Sequence, residues 1–219
     1  MPTCFQYDMF YTSTEVIKMN MSTNNFIATN SSIKNIVMDD ELCLNVIKDP
    51  SILEIDEPTY AKVKELSFQN GSIEVDVYSK LLPDAPDYAR GFIGVAFRIK
   101  EDDTEYESIY IRPTNGRCDD QVRRNHSVQY YAYPNHKFNT LRVTSPEKYE
   151  SYADMGLEEW IRMKIVVNGT KAELYLNHSI YPVLIVKDLK NDIRSGAIAL
   201  WSEVGTDAYF KNLKIIQAV

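Results

Sequence analysis

Between Ser72 and Tyr78 the side chains alternate without a break. Ile73, Val75 and Val77 fall on one face, and Glu74, Asp76 and Tyr78 on the other. A period of two belongs to an extended segment with one face against a core and one toward water. Short runs rich in β-branched and aromatic residues recur along the chain. They cover 33–37, 42–47, 60–66, 91–99, 106–112, 127–133, 160–167, 171–177, 183–186, 195–201 and 208–216. Turn chemistry separates them: Asp39-Asp40-Glu41, Asp49-Pro50, Asn70-Gly71, the Pro-and-Asp loop 83–87, and Asn168-Gly169. Only 146–159 reads as helix, and for no more than a turn or two. Many short strands between turn signals predict an all-β jelly-roll sandwich. The 219 residues suit one large domain. The simplest division is an N-terminal arm or edge strand over residues 1–30 and a single sandwich over 31–219.

Composition narrows the partners. Hydrophobic residues make up 44% of the chain, enough for a core. The net charge of −7 and pI near 5.1 lack the basic face that nucleic acid or an anionic membrane surface requires. No apolar run is long enough for a membrane-spanning helix. The first residues carry neither a basic nor an apolar leader segment, so the expected location is cytoplasmic, or secreted with a leader removed. Cys4, Cys43 and Cys118 are too few and too far apart for a disulfide framework, and His126, His136 and His178 show no metal spacing. No cofactor is expected. Sandwich domains can hold a structural calcium ion, but no loop here alternates acidic ligands.

The 15 tyrosines outnumber the 8 phenylalanines and 2 tryptophans. Strand parity sorts some of them onto one surface. Gly94, Ala96 and Arg98 oppose Val95, Phe97 and Ile99. Ser108, Tyr110 and Arg112 oppose Ile109 and Ile111. Gln129, Tyr131 and Tyr133 share a face, as do Ala197, Ala199 and Trp201. Placed in one sheet, these residues would make a floor of small side chains flanked by rings and forked cations, as a saccharide groove requires.

The run from Phe68 to Val77 resembles the early strand of the concanavalin A-like lectin/glucanase superfamily, including laminin-G-like modules. Gly196–Trp201 and Ala208–Ile215 are similar to its closing strands. Tyr110–Arg117, Arg124–Tyr130, Leu141-Arg142 and Tyr149-Glu150 resemble bacterial glycoside-hydrolase-like members. The resemblance spans about residues 60–216. It implies a two-sheet antiparallel jelly roll, an architecture that hosts lectins, hydrolases, lyases and adhesion modules. Glu74-Val75-Asp76 also resembles the first part of the family 16 glucanase catalytic strand, but Tyr78 stands where a third acidic residue belongs.

The leading expectation is a carbohydrate-binding protein that holds a saccharide on its concave sheet. The ligand-binding residues are Arg98, Tyr110, Arg112, Asn115, Arg124, Gln129, Tyr131, Arg142 and Trp201. Arg112, Asn115, Arg117, Arg123, Arg124 and His126 form the one basic concentration in an acidic chain, suited to a uronic acid carboxylate. A second reading is a glycoside hydrolase or lyase with Glu107 and Glu150 as its two carboxylates. A third is a protein-interaction module using exposed tyrosines. The oligomeric state is left open.

Overall fold

The computed structural model describes residues 13–218, so the expectations for Cys4 and for the first 12 residues of the arm lie outside the described residues. Two antiparallel sheets form a sandwich. The first runs in the order β13 (Leu184–Val186), β12 (Lys171–Leu176), β11 (Ile161–Asn168), β6 (Gly71–Leu81), β15 (Thr206–Ala218), β4 (Glu41–Lys48) and β3 (Ser31–Met38), with β1 (Thr14–Lys18) also paired to β15. The second runs β10 (Glu150–Ser151), β9 (Val128–Tyr133), β8 (Tyr106–Ile111), β7 (Ile93–Ile99), β14 (Ala197–Ser202), β5 (Tyr60–Val63) and β2 (Phe26–Thr29).

The alternation read from Ser72–Tyr78 holds within β6. Ile73, Val75 and Val77 are buried, while Glu74, Asp76 and Tyr78 are half-buried on the outer face. Across the gap they join Val95, Ile109, Leu200 and Phe97 in one continuous core. Burying each such side chain contributes roughly 1.5–3 kcal/mol. Asn168-Gly169 forms the predicted hairpin: Asn168 pairs with Lys171, and Gly169 takes the left-handed φ of 57° that a tight turn requires.

The helix expected in 146–159 is absent. Helical turns lie instead at α1 (Pro113–Gly116), α2 (Gln121–Asn125) and α3 (Phe138–Thr144). Pro146 restricts Ser145 to non-helical backbone, so α3 stops where Ser145 N–H closes onto Leu141 O. Beyond it, Glu150 and Ser151 extend to pair with Gln129 and Val128.

Candidate functional site

One cross-strand row crosses the whole second sheet. Glu150, Gln129, Tyr110, Gly94, Trp201, Tyr60 and Thr29 are successive partners and project to the same outer face. The next row holds Tyr131, Ser108, Ala96, Ala199 and Lys62. Gly94 has no room for a side chain, because a Cβ there would lie 2.5 Å from that of Tyr110. Over this small-residue floor the rings meet. Tyr110 and Trp201 have centroids 4.9 Å apart, Tyr131 and Trp201 5.7 Å, and Tyr106 stacks on Tyr133 at 5.1 Å.

The strand parity was therefore read correctly for Tyr110, Tyr131 and Trp201, but the open groove is not there. The chain covers that face itself. The connection 49–59 from β4 to β5 lies over it as a strap: Trp201 Nε1–H donates to Glu57 O at 3.0 Å, and Tyr106 OH donates to Asp56 O at 3.3 Å. Asp56 in turn accepts from Phe138 N–H at 2.8 Å and donates its own N–H to Glu203, tying the strap to α3 and to β14's exit. Glu57 accepts from Tyr133 OH at 3.0 Å and pairs with Lys137. Tyr110, Gln129, Tyr131 and Trp201 are consequently 1% exposed or less.

Arg98 is a second correction. Between Ala197 and Ala199 the β7–β14 register shifts, and Arg98 takes a left-handed φ of 55°. That bulge turns the side chain off the ring face. Its guanidinium reaches Gln69 O at 2.9 Å and Gly169 O at 2.8 Å, pinning the start of β6 to the β11–β12 turn.

The carboxylate pair is a third. Glu107 pairs with Ala132 and Phe97 on the core face, whereas Glu150 belongs to the outer row. Two carboxyls on opposite faces of one sheet cannot flank one glycosidic bond, which retaining hydrolysis requires at about 5–5.5 Å. Glu107 is wholly buried and accepts from Tyr130 OH at 2.6 Å and Asn191 N–H at 2.8 Å. Burial pushes its carboxyl up against those two hydrogen bonds and the Arg98 charge.

What remains accessible is a cationic rim at the end of the covered face, where α1 and α2 join β8 to β9. Asp120 caps α2 by accepting from Arg123 N–H at 3.1 Å, which sets Arg123 and Arg124 in its last turn. Arg112 is its buried anchor, 4% exposed, with donors to His126 O at 2.8 Å, Tyr110 OH at 2.7 Å and Gln129 Oε1 at 3.2 Å. Asn115 is also committed: it donates to His126 O and accepts from Arg123 at 3.3 Å. Glu150, with its side chain buried, is neutralised by Arg112 at 3.4 Å and by Arg142 Nε at 3.0 Å, and lies 3.6 Å from His126 Nε2.

Among the described residues, three further guanidiniums have no such partner. Arg123 bonds only Asn115, Arg90 only the carbonyls of Asp87 and Ala89, and Arg124 only Tyr152 OH at 2.9 Å, over whose ring it stacks. Arg124 Nε is buried with no acceptor. Burial, then the neighbouring charges of Arg123 and Arg112, lower the Arg90 pKa. Burial and the charges of Arg142 and Arg112 likewise hold His126 below its ordinary value, against the pull of Glu150. Arg117 stands apart, exposed and paired with Asp154 and Glu159. Of the expected ligand residues, then, Arg124 and Arg142 reach the surface rim, while Arg112 and Asn115 build it. Arg90 and Tyr152 were not singled out. Each is far in sequence from the basic run and joins it only through the fold.

Among the described residues no group of three or more His, Cys, Asp or Glu could hold a metal ion, and no helix is long and apolar enough to cross a membrane. No family model and no curated protein matches the chain. Among solved structures it resembles the carbohydrate-binding module CBM66 from Bacillus subtilis, with a TM-score of 0.52 and 13% identity over 86% of this chain and 96% of that one. It also resembles a structure described as a native glycosidic hydrolase, with a TM-score of 0.51 and 14% identity over 93% of this chain and 95% of that one. At such identities the likeness is one of fold, and that fold is a two-sheet antiparallel β-sandwich.

Proposed function

We propose that this chain is a carbohydrate-binding protein and that its ligand is an acidic saccharide held at the rim of Arg90, Arg123, Arg124, Arg142 and His126. The observation that carries the reading is the charge imbalance there. Arg90, Arg123 and Arg124 take part in no ion pair among the described residues, although the chain as a whole has more carboxylates than cations. Guanidiniums gathered without paired carboxylates raise the folding free energy. An anion with forked acceptor geometry relieves that repulsion, and guanidinium matches a carboxylate in two parallel hydrogen bonds. Tyr152, 42% exposed beside Arg124, offers the flat apolar surface on which a sugar ring stacks. Likeness of fold to a carbohydrate-binding module agrees with the reading.

Affinity electrophoresis in gels containing polygalacturonate, alginate, galactan or arabinan tests it. Retardation is expected in the first two, weakened by salt and by Arg123→Ala with Arg124→Ala. Equal retardation by neutral and acidic polymers, or none by either acidic one, contradicts it.

A further inference from the structure

The start of the strap, the loop of 82–88 and residues 203–206 line a pocket of about 170 Å³. Its wall carries Leu53 at 84% exposure and Tyr88 at 62%, two large apolar side chains left open to water. Its lining also includes Lys48 and Glu203, which are only 6% and 3% exposed and form an ion pair. Burying a charged pair is costly unless its remaining hydrogen-bonding capacity is used. Glu203 is satisfied, because its oxygens accept from Lys48, from Val204 N–H and from Asp56 N–H. Lys48 is not. An ammonium has three N–H donors, and two are taken, by Glu203 and by Glu54 O at 2.7 Å.

We infer that this pocket is a second binding site, separate from the arginine rim, and that it takes a single neutral sugar ring. Three features select that ligand. The volume suits one ring rather than an oligomer. The exposed Tyr88 face supplies a stacking surface, and the free Lys48 N–H supplies a donor to a hydroxyl. Asp49, Asp84 and Glu203 outnumber Lys48 in the lining, so the pocket repels an anion. The two sites thus differ in the charge of their ligands, anionic at the rim and neutral here.

The test is amide chemical-shift mapping of the full chain with the methyl glycosides of glucose, galactose and mannose, and with galacturonate. At least one neutral glycoside is expected to move the amides of Leu53, Tyr88 and Val204. Tyr88→Ala, a change at an exposed position, is expected to weaken that response about tenfold, or 1.4 kcal/mol. The inference is overturned if no neutral glycoside moves those amides, if Tyr88→Ala leaves the response unchanged, or if galacturonate moves them as strongly. Shifts at Arg123, Arg124 and Tyr152 with galacturonate report on the rim alone, so either site can fail without the other.

Discussion

The indole N–H of Trp201 donates to the backbone carbonyl of Glu57 at 3.0 Å, from the middle of the second sheet to the strap that crosses it. This one bond expresses why the ring-lined face is core rather than groove. Trp201→Phe removes this bond and leaves a cavity beside Tyr110 and Tyr131, while the Glu57 carbonyl keeps the Thr59 N–H at 2.8 Å. The expected cost is about 1–3 kcal/mol, or roughly 2–4 °C in Tm per kcal/mol for a chain of this size. Thermal melts check it, and an unchanged Tm means that the strap does not depend on the bond.

Asp56 makes the same strap sensitive to pH. Burial, with the Glu203 charge adding to it, pushes the Asp56 carboxyl up to about 7, against the Phe138 N–H bond and the charges of Arg112 and Lys137. A carboxyl raised above its unfolded value of 3.8 holds a proton in the folded state that the unfolded chain has released. Its contribution is therefore fully present below the unfolded value and is lost as pH rises through about 7. Asp56→Asn mimics the protonated form at every pH. Its stability relative to the native chain should rise by on the order of 3 kcal/mol between about pH 5 and pH 8 in urea denaturation. A difference that stays flat, or falls, refutes the assignment.

Arg98 serves architecture. Arg98→Ala removes the bonds to Gln69, Asn70 and Gly169 and empties the space of a side chain that is only 1% exposed. The expected loss is at least about 2 kcal/mol of stability, with retardation in polygalacturonate gels unchanged. Selective loss of binding at native stability would return Arg98 to the ligand set.

His126 gives the rim a pH dependence of its own. Its pKa is held below 6.5 by burial and by the Arg142 and Arg112 charges, so it is neutral at pH 7. Protonation adds a positive charge while a uronate is still ionised. Binding of an oligogalacturonate should tighten as pH falls below 6.5, and His126→Gln should abolish that increment. Calorimetric titration across the range checks both. Weaker binding toward acid in the native chain contradicts the placement of the ligand beside His126.

The sequence makes the sheets legible because alternation is local: each run reports its own two faces. Parity even placed Tyr110, Tyr131 and Trp201 together, and the register confirms it. It cannot report what another segment lays over a face. The strap of 49–59 is a loop with no periodicity, and its hold on Trp201 and Tyr106 runs through backbone carbonyls of Glu57 and Asp56 that leave no trace in residue type. Arg98 fails for a different reason. A bulge inverts parity beyond it, and an arginine with φ of 55° carries no glycine to announce the kink. Within the arm or edge strand expected over residues 1–30, the bounds of β1 and β2 are not legible, because these short strands of mixed polarity are held by their partners β15 and β5 rather than by their own pattern.

In the function proposed, the ligand sits at the cationic rim while the ring cluster stays covered. Shift mapping with a galacturonate trisaccharide tests this most directly, because the Trp201 indole N–H and the His126 ring report on the two places separately. The predicted result is movement of the His126 and Tyr152 signals with the Trp201 indole unmoved. A displaced Trp201 indole beside a stationary His126 would place the sugar under the strap and contradict the account.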